Sequence, residues 1–241
     1  MTKIKLPIFI IICLSFIFFL VLYQNVIDMT VEKVEEYCVL PQTFDAGEEY
    51  IKKIYFVGDS TTYHFRKAGI EDSHILVPES YTLKLASDIT SVRVGKNKQT
   101  IAEALQYMAA EIVIITIGVN GADSFSETQY KTYYTKLINA IKENSPHTVI
   151  IIQSVFPVTK AYSEQNMGIT NSGIDRINSW AMSLALENKI LYLDTQSILK
   201  NDDGAQKEEY SEADGVHMNS KAYFAIIEYI RTHAVNGEKY E

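Results

Sequence analysis

The stretch Ile54-Tyr55-Phe56-Val57-Gly58-Asp59-Ser60 decides how the rest of the chain reads. Lys52 and Lys53 precede an apolar run that stops at a glycine and two polar residues. A short uninterrupted apolar run is the mark of a strand covered on both faces, as in a parallel sheet. The C-terminal ends of such strands are where open α/β sheets bind ligands. Gly58 permits a tight turn there, and the turn carries Ser60 to the sheet edge with its hydroxyl outward. The plain alternative is a strand-to-helix loop in which Asp59 or Ser60 does no more than cap the next helix.

Downstream, strand and helix signals alternate. Ser91-Val92-Arg93-Val94 reads as a second strand ending at Gly95, and residues 100–110 as a helix with Ile101, Leu105 and Met108 on one face. Residues 111–117 form the most apolar strand and end at Gly118. A helix over 127–143 carries the stripe Tyr130, Tyr134, Leu137, Ile138 and Ile141, which packs on the sheet. Residues 148–152 are the next strand, 158–172 a polar loop, 173–188 a helix containing Trp180, and 190–193 a last short strand. An acidic loop over 201–214 leads to a final helix at 220–232. Strands separated by helices demand parallel pairing through right-handed crossovers. The expected fold class is therefore α/β, a three-layer α/β/α sandwich with about five parallel strands.

Upstream, Lys3 and Lys5 precede an apolar run over residues 6–23. At helical rise that run spans about 27 Å, close to the ~30 Å hydrocarbon thickness of a bilayer. Leu22-Tyr23-Gln24-Asn25-Val26 offers no small-x-small cleavage site, and Ile10-Ile11-Ile12 before Cys13 lacks the small residue of a lipoprotein signal. Residues 1–23 are read as an uncleaved signal-anchor, a transmembrane helix. Only Lys33 follows it closely, a bias that places the N-terminus in the cytoplasm and the rest of the chain outside. Residues 24–50, acidic and weakly patterned, are read as a stalk, and 51–241 as one globular domain. Cys38 in the stalk is either an idle thiol or the site of an intermolecular disulfide.

The chain has 241 residues, 47% of them hydrophobic, enough for a sizeable core. Its formal net charge of −8 gives nucleic acid little electrostatic purchase. Neither Cys–His spacing for zinc, nor a dinucleotide fingerprint, nor a phosphate-cradling loop is present, so no metal, cofactor or nucleic-acid partner is expected.

Ser60, Gly95 and Asn120 each fall at the end of an expected parallel strand, and Asp214-Gly215-Val216-His217 stands just before the last helix. Each has an ordinary reading: Asn120 before Gly121 makes turns, and a lone histidine is usually a surface residue. Together, Gly58-Asp59-Ser60, Gly118-Val119-Asn120 and Asp214-x-x-His217 resemble the blocks of the SGNH (GDSL-type) hydrolase family, with Gly95 taken for the second block by order and strand placement. The resemblance covers about residues 54–230. It departs at Gly121, where the family often has Asp; the Gly-x-Asn-Gly form is similar to extracytoplasmic members linked to peptidoglycan O-acetylation.

The resemblance implies a flavodoxin-like SGNH hydrolase fold and a serine esterase working through an acyl-Ser60 intermediate. His217 would be the general base and Asp214 its orienting acid. The N–H groups of Ser60 and Gly95 and the amide of Asn120 would form the oxyanion hole. Asp59, adjacent to Ser60, is expected to hold the turn, and His64 is the rival base. Tyr63, Tyr81 and Tyr162 lie in expected loops near this edge and are candidates for stacking on sugar rings. The expected activity is extracytoplasmic removal of acyl groups, acetyl above all, from a cell-surface or environmental carbohydrate or other small ester. Two alternatives stay open: an O-acyltransferase served by a separate membrane acyltransferase partner, and a catalytically inactive glycan-binding module.

Overall fold

The computed structural model describes residues 38–78, 82–86 and 92–235, together with Phe18 and Leu20. The chain divides into two compact units, Met1–Tyr37 and Cys38–Glu241. Among the described residues no helix is long and apolar enough to cross a membrane. The apolar run at 6–23 lies, save Phe18 and Leu20, outside them.

The strands of the second unit are β1 (Ile54–Gly58), β2 (Ile75–Leu76), β3 (Val92–Val94), β4 (Asn97–Gln99), β5 (Ile112–Thr116), β6 (Val149–Gln153) and β7 (Leu191–Leu193). Its α-helices are α1 (Gly47–Ile51), α2 (Ser60–Tyr63), α3 (Ile101–Tyr107), α4 (Glu127–Asn144), α5 (Lys160–Glu164), α6 (Asn171–Glu187), α7 (Gln196–Leu199) and α8 (Ser220–Arg231). Five strands form one parallel sheet in the order β2-β1-β5-β6-β7.

The sheet is covered on both faces, and the strand sequences show why. Every residue of β5 is buried, so Ile-Val-Ile-Ile-Thr needs no polar alternation. Val113 and Ile115 face the layer of α3, α4 and α6, whereas Ile112 and Ile114 face the layer that contains α8. On α4 the buried set is the stripe Tyr130, Tyr134, Leu137, Ile138 and Ile141. Capping boxes start α3 (Thr100 with Glu103) and α4 (Ser126 with Gln129), each side chain bonding the other residue's backbone N–H. Trp180 packs on Tyr130 with ring centroids 5.9 Å apart.

Three features differ from the sequence reading. The strand ending at Gly95 is real but lies outside the parallel sheet: β3 pairs antiparallel with β4, Val94 opposite Asn97. Gly95 and Lys96 form the two-residue loop of this hairpin, with Gly95 at φ +61°, and glycine is favoured first in such a loop. The strand beside β1 is instead the two-residue β2, Phe56 in register with Ile75. Finally, the second half of the expected stalk is part of the domain. Val39 bridges Tyr192 in parallel, Leu40 N donates to Tyr192 O at 2.9 Å, and Cys38 and Leu40 are each 3% exposed. Arg231 of α8 clasps this segment, its Nε donating to Asp45 Oδ1 at 2.8 Å and its guanidinium also pairing with Glu48. Burial of Cys38 takes the thiol out of reach of a second chain unless this segment peels away.

Gly58, at the end of β1, leaves no room for a side chain. A Cβ there would stand 2.0 Å from Thr62 Oγ1 and 2.1 Å from the carbonyl oxygen of Thr116. Gly58→Ala is therefore expected to cost about 3 kcal/mol, the upper end of overpacking penalties, read as a fall in the urea midpoint. Adding Thr62→Ala should not restore stability, because the Thr116 carbonyl belongs to the backbone; full recovery in the double variant would refute the steric account.

Candidate active site

The turn after β1 is held from several sides. Asp59, 1% exposed, caps α2: its Oδ1 accepts from Thr61 N at 3.1 Å and from Thr61 Oγ1 at 2.8 Å. Its Oδ2 accepts from Gly118 N at 3.4 Å, which ties the end of β1 to the end of β5. Burial pushes the Asp59 carboxyl above its ordinary value, against the downward pull of these donors. Thr62 Oγ1 donates to Thr116 O at 3.2 Å, and Tyr223 Oη of α8 donates to Thr61 O at 2.6 Å. Ser60, the first residue of α2, is left half-buried on this frame.

A buried polar chain runs beneath the neighbouring strand ends. Thr116 Oγ1 donates to Gln153 Oε1 at 2.6 Å, and Gln153 Nε2 donates to Thr195 Oγ1 at 3.1 Å. Thr195 Oγ1 in turn lies 3.2 Å from Ser154 Oγ. Satisfied groups of this kind fix the ends of β5, β6 and β7 relative to one another.

The tail of the chain returns to the same edge. Asp214 Oδ1 accepts from the N–H groups of Val216 at 2.9 Å and His217 at 2.8 Å, while Oδ2 lies 2.7 Å from His217 Nδ1. His217 Nε2 lies 3.2 Å from Ser60 Oγ. With the proton on Nδ1 facing the carboxylate, Nε2 offers its lone pair to the serine hydroxyl. Gly215 makes this bend possible: it is buried at φ +75°, and a Cβ would meet Thr159 Oγ1 at 2.6 Å. Its carbonyl accepts from Thr159 N at 2.9 Å.

His64 does not stand in line with this chain of bonds. Its ring lies edge-on to that of His217, centroids 5.1 Å apart. Burial pushes its imidazole below the ordinary value, and the charges of Lys67 and His217 push the same way. Tyr63 is 41% exposed, with the Arg66 guanidinium 3.6 Å over its ring. Tyr162 packs inward near Gly215, and Tyr81 lies outside the described residues.

Asn120 sits exposed on the 3₁₀ turn Val119–Gly121 that follows β5, and Thr116 of β5 is in register with Gly58. It thus shares the sheet edge with Ser60. Gly121 carries a reason for its identity: a Cβ there would meet the Phe125 ring at 2.3 Å. Gly95 is not brought to this edge by a parallel strand; it is exposed at the tip of the β3–β4 hairpin. Lys67, whose Nζ donates to Glu212 Oε1 and Met218 O, and Thr159, whose N–H donates to Gly215 O, carry no signal in the sequence, because their partners are set only by the tertiary fold. Among the described residues no group of three His, Cys, Asp or Glu is placed to hold a metal ion.

Partial burial pushes the Asp214 carboxyl up, but the His217 ring and the N–H groups of His217 and Val216 outweigh it and bring the pKa from 3.8 to about 2. A carboxyl depressed in the folded state stabilises fully above its unfolded pKa and loses that contribution as pH falls through the folded one. Since Asp214 is half-exposed, screening reduces the contribution to about 1 kcal/mol. Urea midpoints of the native chain and of Asp214→Asn should therefore differ near neutrality and converge as pH falls toward about 2. A gap independent of pH would refute this account.

The GDSL-like Lipase/Acylhydrolase family matches residues 56–225, more than half of the chain. No curated protein matches it. Among solved structures, the fold is similar to that of a protein from Streptococcus pneumonia provisionally named a platelet activating factor. That match has a TM-score of 0.60 at 18% identity and covers 85% of this chain and 97% of that one. It is also similar to a GDSL-like lipase from Bacteroides thetaiotaomicron VPI-5482, with a TM-score of 0.54 at 17% identity over 74% of this chain and 85% of that one. A provisionally named acylhydrolase from Bacteroides fragilis NCTC 9343 matches with a TM-score of 0.53 at 18% identity, over 78% of this chain and 86% of that one. A parallel five-stranded α/β sheet matched along most of its length by this family leads to one conclusion: the chain belongs to the GDSL-like lipase/acylhydrolase family.

Proposed function

We propose that the chain is an extracytoplasmic serine esterase that removes acetyl groups from a carbohydrate, held at the membrane by residues 6–23. The observation that carries the chemistry is the unbroken run from Asp214 Oδ2 to His217 Nδ1 at 2.7 Å and from His217 Nε2 to Ser60 Oγ at 3.2 Å.

Serine is a weak nucleophile until a base takes its proton during attack. His217 Nε2 accepts that proton as Ser60 Oγ bonds to the ester carbonyl carbon, and the negative charge of Asp214 stabilises the imidazolium. The carbonyl oxygen becomes an oxyanion facing the N–H of Ser60 and the side-chain amide of Asn120. Collapse breaks the bond to the sugar oxygen, which leaves with the proton from His217. Water, deprotonated by the same imidazole, then releases acetate from Ser60 and restores the serine. Gly95, at the tip of a separate hairpin, is given no part in this cycle.

The substrate class is supported by the surroundings of Ser60. Tyr63 lies one helical turn beyond the serine, on the same face of α2. Its exposed ring, backed by Arg66, suits the apolar face of a sugar. The location is supported by the basic residues before the run at 6–23 and the paucity of them after it.

Ser60→Ala should abolish p-nitrophenyl acetate hydrolysis, a loss of about 10⁴-fold or more. Asn120→Ala should lower kcat by about 10²–10³ with the fold intact by circular dichroism. His217→Ala should match the serine variant, whereas His64→Ala should retain turnover; the reverse pattern would move the base to His64. Acetate release from acetylated glycans, followed alongside transfer to an acceptor sugar, separates an esterase from a transferase.

A further inference from the structure

Ser60 and His217 are 157 residues apart, and their approach at 3.2 Å depends on how the loop bearing the histidine is docked. That loop is a closed unit. Ser211 and Met218 form an antiparallel bridge, Glu212 N donates to His217 O at 2.9 Å, and Gly215 N donates to Glu212 O at 3.1 Å. Asp214 and His217 sit at its bend. Thr159 N holds one side through Gly215 O.

From the other side comes Lys67. It lies in the 3₁₀ turn His64–Ala68, which runs directly on from α2 and therefore shares a frame with Ser60. Its Nζ donates to Glu212 Oε1 at 2.7 Å and to Met218 O at 2.8 Å, one residue past His217. The lysine side chain is 24% exposed, so water competes weakly for these charge-assisted bonds. His64, on the same turn, rests edge-on against the His217 ring.

We infer that Lys67 is a positioning residue for the Ser60–His217 pair: its ammonium, bonded to Glu212 and to the Met218 carbonyl, fixes the 211–218 loop to the segment that carries the serine. The inference rests on reading Ser60 and His217 as nucleophile and base, and it concerns how their distance is set. An ordinary surface ion pair would contribute little to stability and nothing to turnover. A clasp acts differently, because displacing a reacting group by about 1 Å costs on the order of 10²-fold in rate.

The test uses the full-length chain in detergent, with Lys67→Met, Lys67→Arg and Glu212→Gln. Lys67→Met keeps the aliphatic stem and removes the donors. It should lower kcat for p-nitrophenyl acetate, and the rate of Ser60 labelling by a fluorophosphonate, by about 10- to 100-fold with KM unchanged. Amide hydrogen exchange should quicken over 211–218 and stay unchanged in β5 and β6. Lys67→Arg should recover most of the rate, and Glu212→Gln, which leaves the Met218 bond, should lose less than Lys67→Met. Native kcat and native exchange in Lys67→Met would overturn the proposal, as would a loss that Arg does not rescue and that tracks a global fall in Tm. If the native chain proves inert to both ester and fluorophosphonate, the esterase reading falls. The exchange measurement then decides the clasp alone: faster exchange over 211–218 upholds it, and unchanged exchange refutes it.

Discussion

One buried carboxylate organises the working edge of this molecule. Asp59 leaves the end of β1 and, with its two oxygens, receives donors from its own turn and from the turn after β5. An aspartate at 1% exposure is costly unless its lone pairs are filled. The cost is offset only when Thr61 and Gly118 are both in place, so the group enforces the relative height of the two central strand ends. The positions of Ser60 and Asn120 follow from that, since each sits on one of the two turns. Gly58 completes the constraint from below, because the space its Cβ would need is taken by Thr62 and the Thr116 carbonyl.

Around this point the sheet is conventional in its energetics and specific in its polar detail. The two faces bury aliphatic side chains in alternation, a pattern that fixes register because a one-residue slip would exchange the layers. Apolar packing alone does not set where strands end relative to one another. The side chains of Thr116, Gln153, Ser154 and Thr195 do so by bonding across the ends of β5, β6 and β7.

What the sequence revealed follows the same division. β1, β5, β6 and the stripe on α4 were legible because continuous or periodic apolar runs have one good use in a protein of this size. The hairpin at Gly95 was read as a sheet strand because Val92-Arg93-Val94 carries no label for the direction of its partner. The two-residue β2 was invisible for lack of length, its neighbours Asp72–His74 being polar. Residues 38–50 passed for a stalk because their burial rests on isolated side chains, Cys38 and Leu40, with no period to betray them. In the site, Asp214 and His217 were singled out because Asp214-x-x-His217 resembles a block of the family, whereas the contacts of Lys67 and Thr159 depend on partners 145 and more than 50 residues away.

The bend Asp214-Gly215-Val216-His217 has one more consequence. The acid is held by backbone N–H groups from the two residues that lead into the imidazole, so the mutual orientation of carboxylate and ring is internal to a four-residue segment. Such a segment travels as a cartridge: a shift of its supports changes the separation of ring and hydroxyl and leaves the carboxylate–ring geometry intact. On the reading proposed above, the site thus reduces to a single mechanical coordinate, the separation of the His217 ring from the Ser60 hydroxyl.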